Sequence, residues 1–585
     1  MNSLFNRNIT FRLLMASAML GLTCGAPAQA QQLIFTQNFE PRAGLEDQEA
    51  SRLLAQASFG ATPEDIAEVR NRGIPGWINW QLTRSPRYHL PFVDQIEASG
   101  EDVYQNVRIE SWFRRGMNAP DQLRQRVAFA LSEILVVSDR SGGLEGAPFA
   151  LAQYYDMLLD HVFGNYRDLL RAVSVSPVMG LYLSSLGNQK ADPDSNLRPD
   201  ENYAREIMQL FTIGLVMLND DGTIRDGDPG TAGVQPIPTY DQNVISALAR
   251  VFTGWKWMEC AGAHPDRPWE WEFCGPASSD ANPTSGWRAP MQVVAWQHDT
   301  ENKALISYNG MVPGAIPLEI PALGTGESDL DDALDILVNH PNVAPFIARR
   351  LIQRLVSSNP SPAYVGRVAD VFRNNGSGEY GDLAEVVRAI LLDSEARDPS
   401  WRSHATRGKL REPLIRHIHL LRALNAFSGN DRFYPWQPEN SFAQAPLRSP
   451  SVFNFFLPDY QPPGEIQDLG LVAPEFQITT DTYIIAANNA WAAQIYWNFV
   501  QSDAGDPDNL QVDLRPEEAL ASDPPALVDR YNLLFADGQL PIEVQMLLIE
   551  HVRNIEAQWN PNWRRNRVQD ALVLTITSPY AAVLR

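Results

Sequence analysis

Cysteine is scarce: the chain has three in 585 residues, and only Cys260 and Cys274 lie beyond residue 30. So few exclude a disulfide-built scaffold and leave stability to a hydrophobic core, for which a chain of this length is ample. Positive charge is in deficit, with 47 Lys and Arg against 70 Asp and Glu and a formal charge of −23. A surface that acidic repels phosphate backbones, so nucleic acid is not an expected partner. Beyond the N-terminus no apolar run approaches the roughly 20 residues that a membrane helix needs, so no transmembrane anchor is expected. Internal repeats and low-complexity tracts are missing too.

Familiar chemical signatures are also missing. There is no phosphate loop, no nucleophile elbow of the Gly-x-Ser-x-Gly type, and no pair of histidines spaced four apart on a helix. Gly376-Ser377-Gly378-Glu379-Tyr380-Gly381 matches the dinucleotide fingerprint by letter. A helix rather than a strand precedes it, so it reads as a helix-to-helix turn. His417 and His419 diverge by about 160° on a regular helix and cannot chelate one ion there. Asp192 to Asn196 alternates like a calcium loop, but Leu197 stands where the turn glycine is needed and no closing glutamate follows. Asp220, Asp221, Asp226 and Asp228 form a looser set. Both stretches read as solvated acidic loops, with a divalent cation as the alternative.

The chain begins like an export precursor. Arg7 and Arg12 precede a short apolar run, Leu13 to Leu22, and Ala28-Gln29-Ala30 supplies a small-x-small site, which places cleavage after Ala30. Removing residues 1–30 takes away two arginines and no acid, moving the formal charge from −23 to −25. A periplasmic or extracellular location is therefore expected. In such a compartment Cys260 and Cys274 are expected to pair. The loop of about 15 residues that they close contributes about 3 kcal/mol in chain-entropy terms.

Helical signals dominate. Thr62-Pro63-Glu64-Asp65 combines a capping residue, a proline at the first helical position and acids in the first turn, and Gly73 ends the run. Leu123, Val127, Leu131 and Ile134 recur at three- and four-residue spacing. Comparable patterns predict helices near 148–161, 165–173, 200–214, 241–254, 328–339, 343–357, 362–374, 382–395 and 408–425. Near the end, 482–500, 525–535, 541–556 and 563–575 also read as helical. Strand candidates are few: Val293 to Trp296, Trp255-Lys256-Trp257, and Trp269 to Phe273. The last two place aromatic residues on one parity and a cysteine on the other, as a small hairpin would. The expected fold is all-α, a large multi-helix domain with minor β hairpin elements. After the leader and a tail over 31–44, a helical core over 45–425 is followed by a C-terminal helical extension over 426–585.

The most distinctive segment is Pro199 to Phe211. Wound at 100° per residue, Glu201, Asn202, Arg205, Glu206 and Gln209 fall within an arc of about 140°, opposite Tyr203, Ile207, Met208, Leu210 and Phe211. One reading is an amphipathic surface helix laced by a Glu201–Arg205 pair. The other is a cleft wall on which Glu201 and Glu206 serve as acid, base or metal ligands, tuned by Arg205.

Glu201-Asn202-Tyr203-Ala204-Arg205-Glu206, followed by Gln209 to Gly214, resembles the signature of the domain-of-unknown-function 1800 family. Arg126 to Ser132, Ala249 to Trp255, His340 to Ile347, Lys409 to Pro413 and Ser449 to Phe455 extend the resemblance, which covers roughly residues 50 to 580. It implies an exported bacterial protein with no assigned reaction. It also implies a possible partner in a second exported family, similar to the alkaline phosphatase superfamily, that is often encoded beside this one. The resemblance adds weight to the polar face at 201–209 and directs attention to His298, which has Asp299, Glu301 and Lys303 close by and the chemistry of a general base or metal ligand.

Three functions remain open on the sequence. The first is a partner or assembly factor for another exported, phosphatase-like protein. The second is an acid/base or metal-assisted hydrolase of a cell-surface polymer, using Glu201, Glu206, Arg205 and His298 with Asn202, Gln209 and Lys303 as binding groups. The third is a glycan-binding protein that stacks sugars on Trp255, Trp257, Trp269 and Trp271.

Overall fold

A computed structural model describes residues 45–276, 280–404, 406–435, 437–498, 510–511 and 514–585. The leader, its cleavage site after Ala30 and the tail over 31–44 lie outside the described residues. Helix accounts for 53% of the chain and strand for only 5%, which makes the protein all-α, as its periodicity predicts. The strands form three two-stranded antiparallel ribbons.

The chain divides into two compact units. The larger runs from Glu49 to Asp513 and takes in Ala582–Arg585, so it continues past the boundary expected at residue 425. The smaller contains Leu514–Ala581 together with the described residues up to Gln48. In it, helices Pro524–Ala536, Ile542–Arg553 and Trp563–Ile576 pack around Val528, Leu540, Leu548 and Ile549.

Local chemistry accounts for the helices of the larger unit. Thr62 caps helix Pro63–Arg72 by accepting from the Asp65 amide, and Gly73 ends it at φ 70°. Helix Tyr166–Ser174 buries Tyr166, Leu169, Leu170 and Val173, the stripe that a 3.6-residue period demands. Helix Gln122–Ser132 buries every residue except Arg124. Helices Val343–Leu355, Pro362–Arg373 and Leu383–Leu392 pack in succession beside it.

The segment 200–214 is not one regular helix. Glu201 rather than Asp200 takes the cap position of the α-helical turn Asn202–Glu206, and Asp200, one residue before it, accepts from the Asn202 amide at 2.8 Å. The chain then widens into a π-helical stretch, Ile207–Thr212, in which the Thr212 hydroxyl donates to the Ile207 carbonyl at 2.6 Å. Such insertions recur at functional sites. The π turn upsets the 100° winding, so Gln209 no longer keeps the angular relation to Glu201 that the sequence predicts.

The region of the cysteines also departs from expectation. Trp255–Lys256 does form a strand, but its partner is Gln292–Val293. The stretch expected as the other hairpin arm, Trp269 to Phe273, belongs instead to a short helix, Pro268–Phe273. Pro268 at the first helical position favours this start. Helical winding turns Trp271 inward and leaves Trp269 and Phe273 outside. Cys260 and Cys274 are bonded, and the disulfide packs in one cluster with Trp271, Val294, Trp257 and Trp296 rather than on a face away from the indoles.

A single side chain fixes the turn after the π segment. Asn342, fully buried, donates through Nδ2 to the carbonyls of Ile213 and Val216, both at 2.8 Å, and accepts from the Leu218 amide at 2.9 Å. Replacing it orphans three backbone groups at once. Asn342→Ala is expected to destabilise the protein by about 3 kcal/mol, read as a lowered urea midpoint at unchanged slope.

Candidate functional site

Glu206 is the most distinctive group on the helix that carries the 201–206 motif. It lies at the junction of the α and π segments and is 6% exposed. Its Oε2 is buried with no hydrogen-bond partner among the described residues. Burial raises its pKa above the ordinary carboxylate range, and the neighbouring Arg205 charge offsets this only in part. Two tyrosines, Tyr182 and Tyr240, lie within the field of the Glu206 charge. Desolvation pushes the Tyr240 hydroxyl up to about 12. Ser449 is in hydrogen-bond contact with Tyr182, and Tyr240 Oη lies 3.5 Å from Gln209 Oε1. Glu206 is therefore a half-desolvated carboxyl beside a guanidinium, with two phenols within reach of its field. Those are the ingredients of proton transfer.

Glu201 has a different environment. It is half-exposed, accepts from Gln242 Nε2 at 2.7 Å and from Ser246 Oγ at 2.6 Å, and pairs with Arg205 at 3.6 Å. The Ser246 hydrogen bond is the chief reason that its pKa falls below the usual value. Glu201 is thus a satisfied surface carboxylate, and Asn202 is exposed beside it. The polar arc expected over 201–209 separates into this outer pair and the inward Glu206.

His298 is not an exposed loop histidine. It is 3% exposed, its Nδ1 lies 2.9 Å from the Thr253 carbonyl, and its Nε2 lies 3.1 Å from Asp329 Oδ2. Lys303, buried completely, donates to the same Asp329 oxygen at 2.6 Å and to the carbonyls of Asp299 and Glu301. Arg250 holds the Asp299 carboxylate at 3.0 Å through Nε and Nη2. These bonds lock the 298–303 loop to helix Gly326–Val338. Gly254, at φ +82°, fits against it because an added Cβ would stand 3.0 Å from the His298 amide nitrogen.

Glu201 touches Ser246 near the start of helix Gln242–Val251, whereas His298 meets Thr253 just past its end. At 1.5 Å per residue those positions are about 10 Å apart along the axis. His298 and Glu201 thus stand at opposite ends of this helix, each with partners of its own. Among the described residues no three His, Cys, Asp or Glu side chains gather as metal ligands. In the 192–196 loop, the oxygens of Asp192 are occupied by the Asp194 amide and the Ser195 hydroxyl.

The four tryptophans do not form a coplanar platform. Trp255 and Trp271 are both buried at 2% exposure, and Trp257 packs at 59° against Trp287. Of the four, only Trp269 is exposed. Lys256 lies over the Trp271 ring at 4.5 Å, and burial lowers its pKa.

A second polar centre was not foreseen as a site, although four of its residues stand in or beside two of the motifs that carry the resemblance, 126–132 and 409–413. Arg126, Glu133, Arg354, Lys409, Glu412 and Glu475 are buried together. Lys409 pairs with Glu475 at 3.0 Å and donates to the Arg354 carbonyl at 2.8 Å. Gln444 donates to Glu412 Oε2 at 2.8 Å. Arg354 lies 3.7 Å from Glu133 Oε2 and stacks over the Phe456 ring at 4.4 Å. The available signal was a charged residue inside an apolar helix: Arg126 interrupts the stripe Leu123, Val127, Leu131.

Burial pushes the Glu133 carboxyl up to about 8, reinforced by the facing Glu412. Glu412 remains ionised because Lys409, Arg126 and Arg354 outweigh its own desolvation. Carboxyls so opposed titrate as a pair.

These features define a class: an all-α protein whose distinguishing polar residues are drawn into the interior from well-separated motifs. The chain belongs to the family described as protein of unknown function (DUF1800), whose model matches residues 52–583. No curated protein and no solved structure matches the chain.

The Glu133 shift has a definite sign. Below about 4.5 the folded and unfolded chains both hold the proton; between about 4.5 and 8 only the unfolded chain releases it. Folding stability should therefore fall across that window, by up to about 1.4 kcal/mol per pH unit. Urea midpoints of wild type and Glu133→Gln measured across it should diverge, with the wild type losing ground as pH rises.

Proposed function

We propose that the protein is a binding partner or assembly factor for another exported protein, of the alkaline-phosphatase-superfamily kind, and that it docks through apolar side chains over residues 453–485. The carrying observation is the exposure of Phe453, Leu457, Phe476, Ile484 and Ile485, which leave 38–61% of their surface in solvent. Local bonds hold this stretch together: the Leu457 amide donates to Gln477 Oε1, and the Thr479 amide to the Phe476 carbonyl. Below it, Phe455, Phe456 and Ile478 form a small core that holds the exposed residues in place. Exposed apolar side chains on an ordered segment favour protein association where they adjoin one another. Ile485, on helix Asp481–Ala493, is the most exposed of the five.

The test is co-purification with an exported protein of the alkaline-phosphatase-superfamily kind from the same host. A stoichiometric complex on size exclusion is expected, weakened at least tenfold in Kd by Ile485→Asp with unchanged circular dichroism. Separate elution of the two wild-type proteins would sink the reading.

A second reading rests on Glu206: acid/base hydrolysis of a cell-surface polymer with Glu206 as the proton-transferring group. A half-desolvated, unpartnered carboxyl with raised pKa supports it. Glu206→Gln should cut turnover of a peptidoglycan or glucan substrate by about 100-fold or more, whereas Glu201→Gln should leave it within a few-fold. Equal activity in wild type and Glu206→Gln would remove this reading.

A further inference from the structure

We propose that Arg349 and Arg350 form the anion-binding end of the 453–485 docking surface, and that the segment it takes is an acidic peptide with apolar residues among its carboxylates. The inference rests on the docking reading above and names the chemistry of what docks.

Both arginines lie on helix Val343–Leu355. Wound at 100° per residue, Phe346, Arg349, Arg350, Gln353 and Arg354 fall within an arc of about 140°. The 456–459 stretch crosses that face against the direction of the helix. Phe456 lies under the Arg354 guanidinium at 4.4 Å, and the Pro458 carbonyl accepts from Gln353 Nε2 at 3.1 Å. The Asp459 charge then reaches both Arg349 and Arg350. Leu457, 38% exposed, belongs to this stretch, which brings the two arginines up to the apolar side chains of the docking surface.

Arg350 is half-buried with its guanidinium over the Phe346 ring at 4.9 Å, and Arg349 is exposed. Among the described residues neither makes a hydrogen bond or an ion pair. Burial pushes Arg350 down to about 9, and the like charges of Arg354 and Arg349 push the same way against Asp459 alone. The guanidinium is still charged at neutral pH, so its desolvation goes partly uncompensated within the chain. The chain has 70 Asp and Glu against 47 Lys and Arg, yet none of those acids pairs here. Two neighbouring guanidiniums left free fit a carboxylate from outside, which accepts from a guanidinium through two parallel N–H groups. The adjoining apolar side chains favour a peptide over a small inorganic anion, which would leave Phe453 and Leu457 uncovered. The acidity of the chain disfavours nucleic acid.

The test uses the purified full chain and two acetylated probe peptides, one alternating glutamate with leucine and one with glutamine in place of glutamate. Fluorescence anisotropy at low salt should show the glutamate peptide binding about tenfold more tightly. That preference should vanish at about 0.5 M salt and in the double variant Arg349→Gln, Arg350→Gln. If the double variant does not fold, the preference of the wild type and its loss with salt still decide the matter. Equal affinities for the two peptides, no binding of either, or an unchanged preference in a folded double variant would overturn the proposal. The phosphatase-like protein is a separate arm. Peptide discrimination without a complex overturns that choice of partner and leaves this site standing. A complex that the double variant forms with wild-type affinity overturns this site and leaves the docking reading standing.

Discussion

Six ionisable side chains are enclosed within a helical body, and the surrounding structure depends on how they pair with one another. Arg126, Glu133, Arg354, Lys409, Glu412 and Glu475 come from four separate stretches of chain. Removing one partner of a buried ion pair strands the other, at a cost of about 3–5 kcal/mol. The helices and ribbon that supply these groups therefore cannot move independently. Pro413 starts its helix directly after Glu412, and Lys409–Leu410 pairs with Val583–Leu584, so the network also anchors the end of the chain.

The same economy recurs on a smaller scale. Asn342 holds the turn after the π segment, and Asp329 receives both His298 and Lys303. Tyr203, on the 201–206 motif, lies edge-on to Phe252 of the 249–255 motif at 4.7 Å. Motifs far apart in sequence are thus cross-linked by single polar or aromatic side chains. Much of what makes the family recognisable is interior chemistry. Glu206 departs from this pattern: it is a family-motif carboxyl that the interior leaves without a partner.

Legibility in the sequence followed the range of the interactions. Helices with local signals were readable: the Thr62 cap, the Tyr166–Val173 stripe and the Gly73 stop all act within a few residues. The Trp269–Phe273 stretch was misread because alternation of aromatic and acidic residues imitates a strand, while Pro268 sets a helix. The π insertion left no periodic trace, since it depends on Tyr166 reaching the Phe211 carbonyl and Asn342 gripping the turn beyond. His298 read as a loop base because its neighbours in sequence are acidic. Its actual partner, Asp329, is 31 residues away.

By itself, the sequence determined the fold class, the positions of most helices and the family, because these rest on periodicity, capping and ordered motifs. Only the tertiary structure decided which polar residues are interior. The arc containing Glu201, Arg205 and Glu206 looks uniform when wound on paper, yet neighbouring elements bury Glu206 and leave Glu201 in water. Burial is a property of what packs against a side chain from elsewhere in the chain, and no local spacing encodes it.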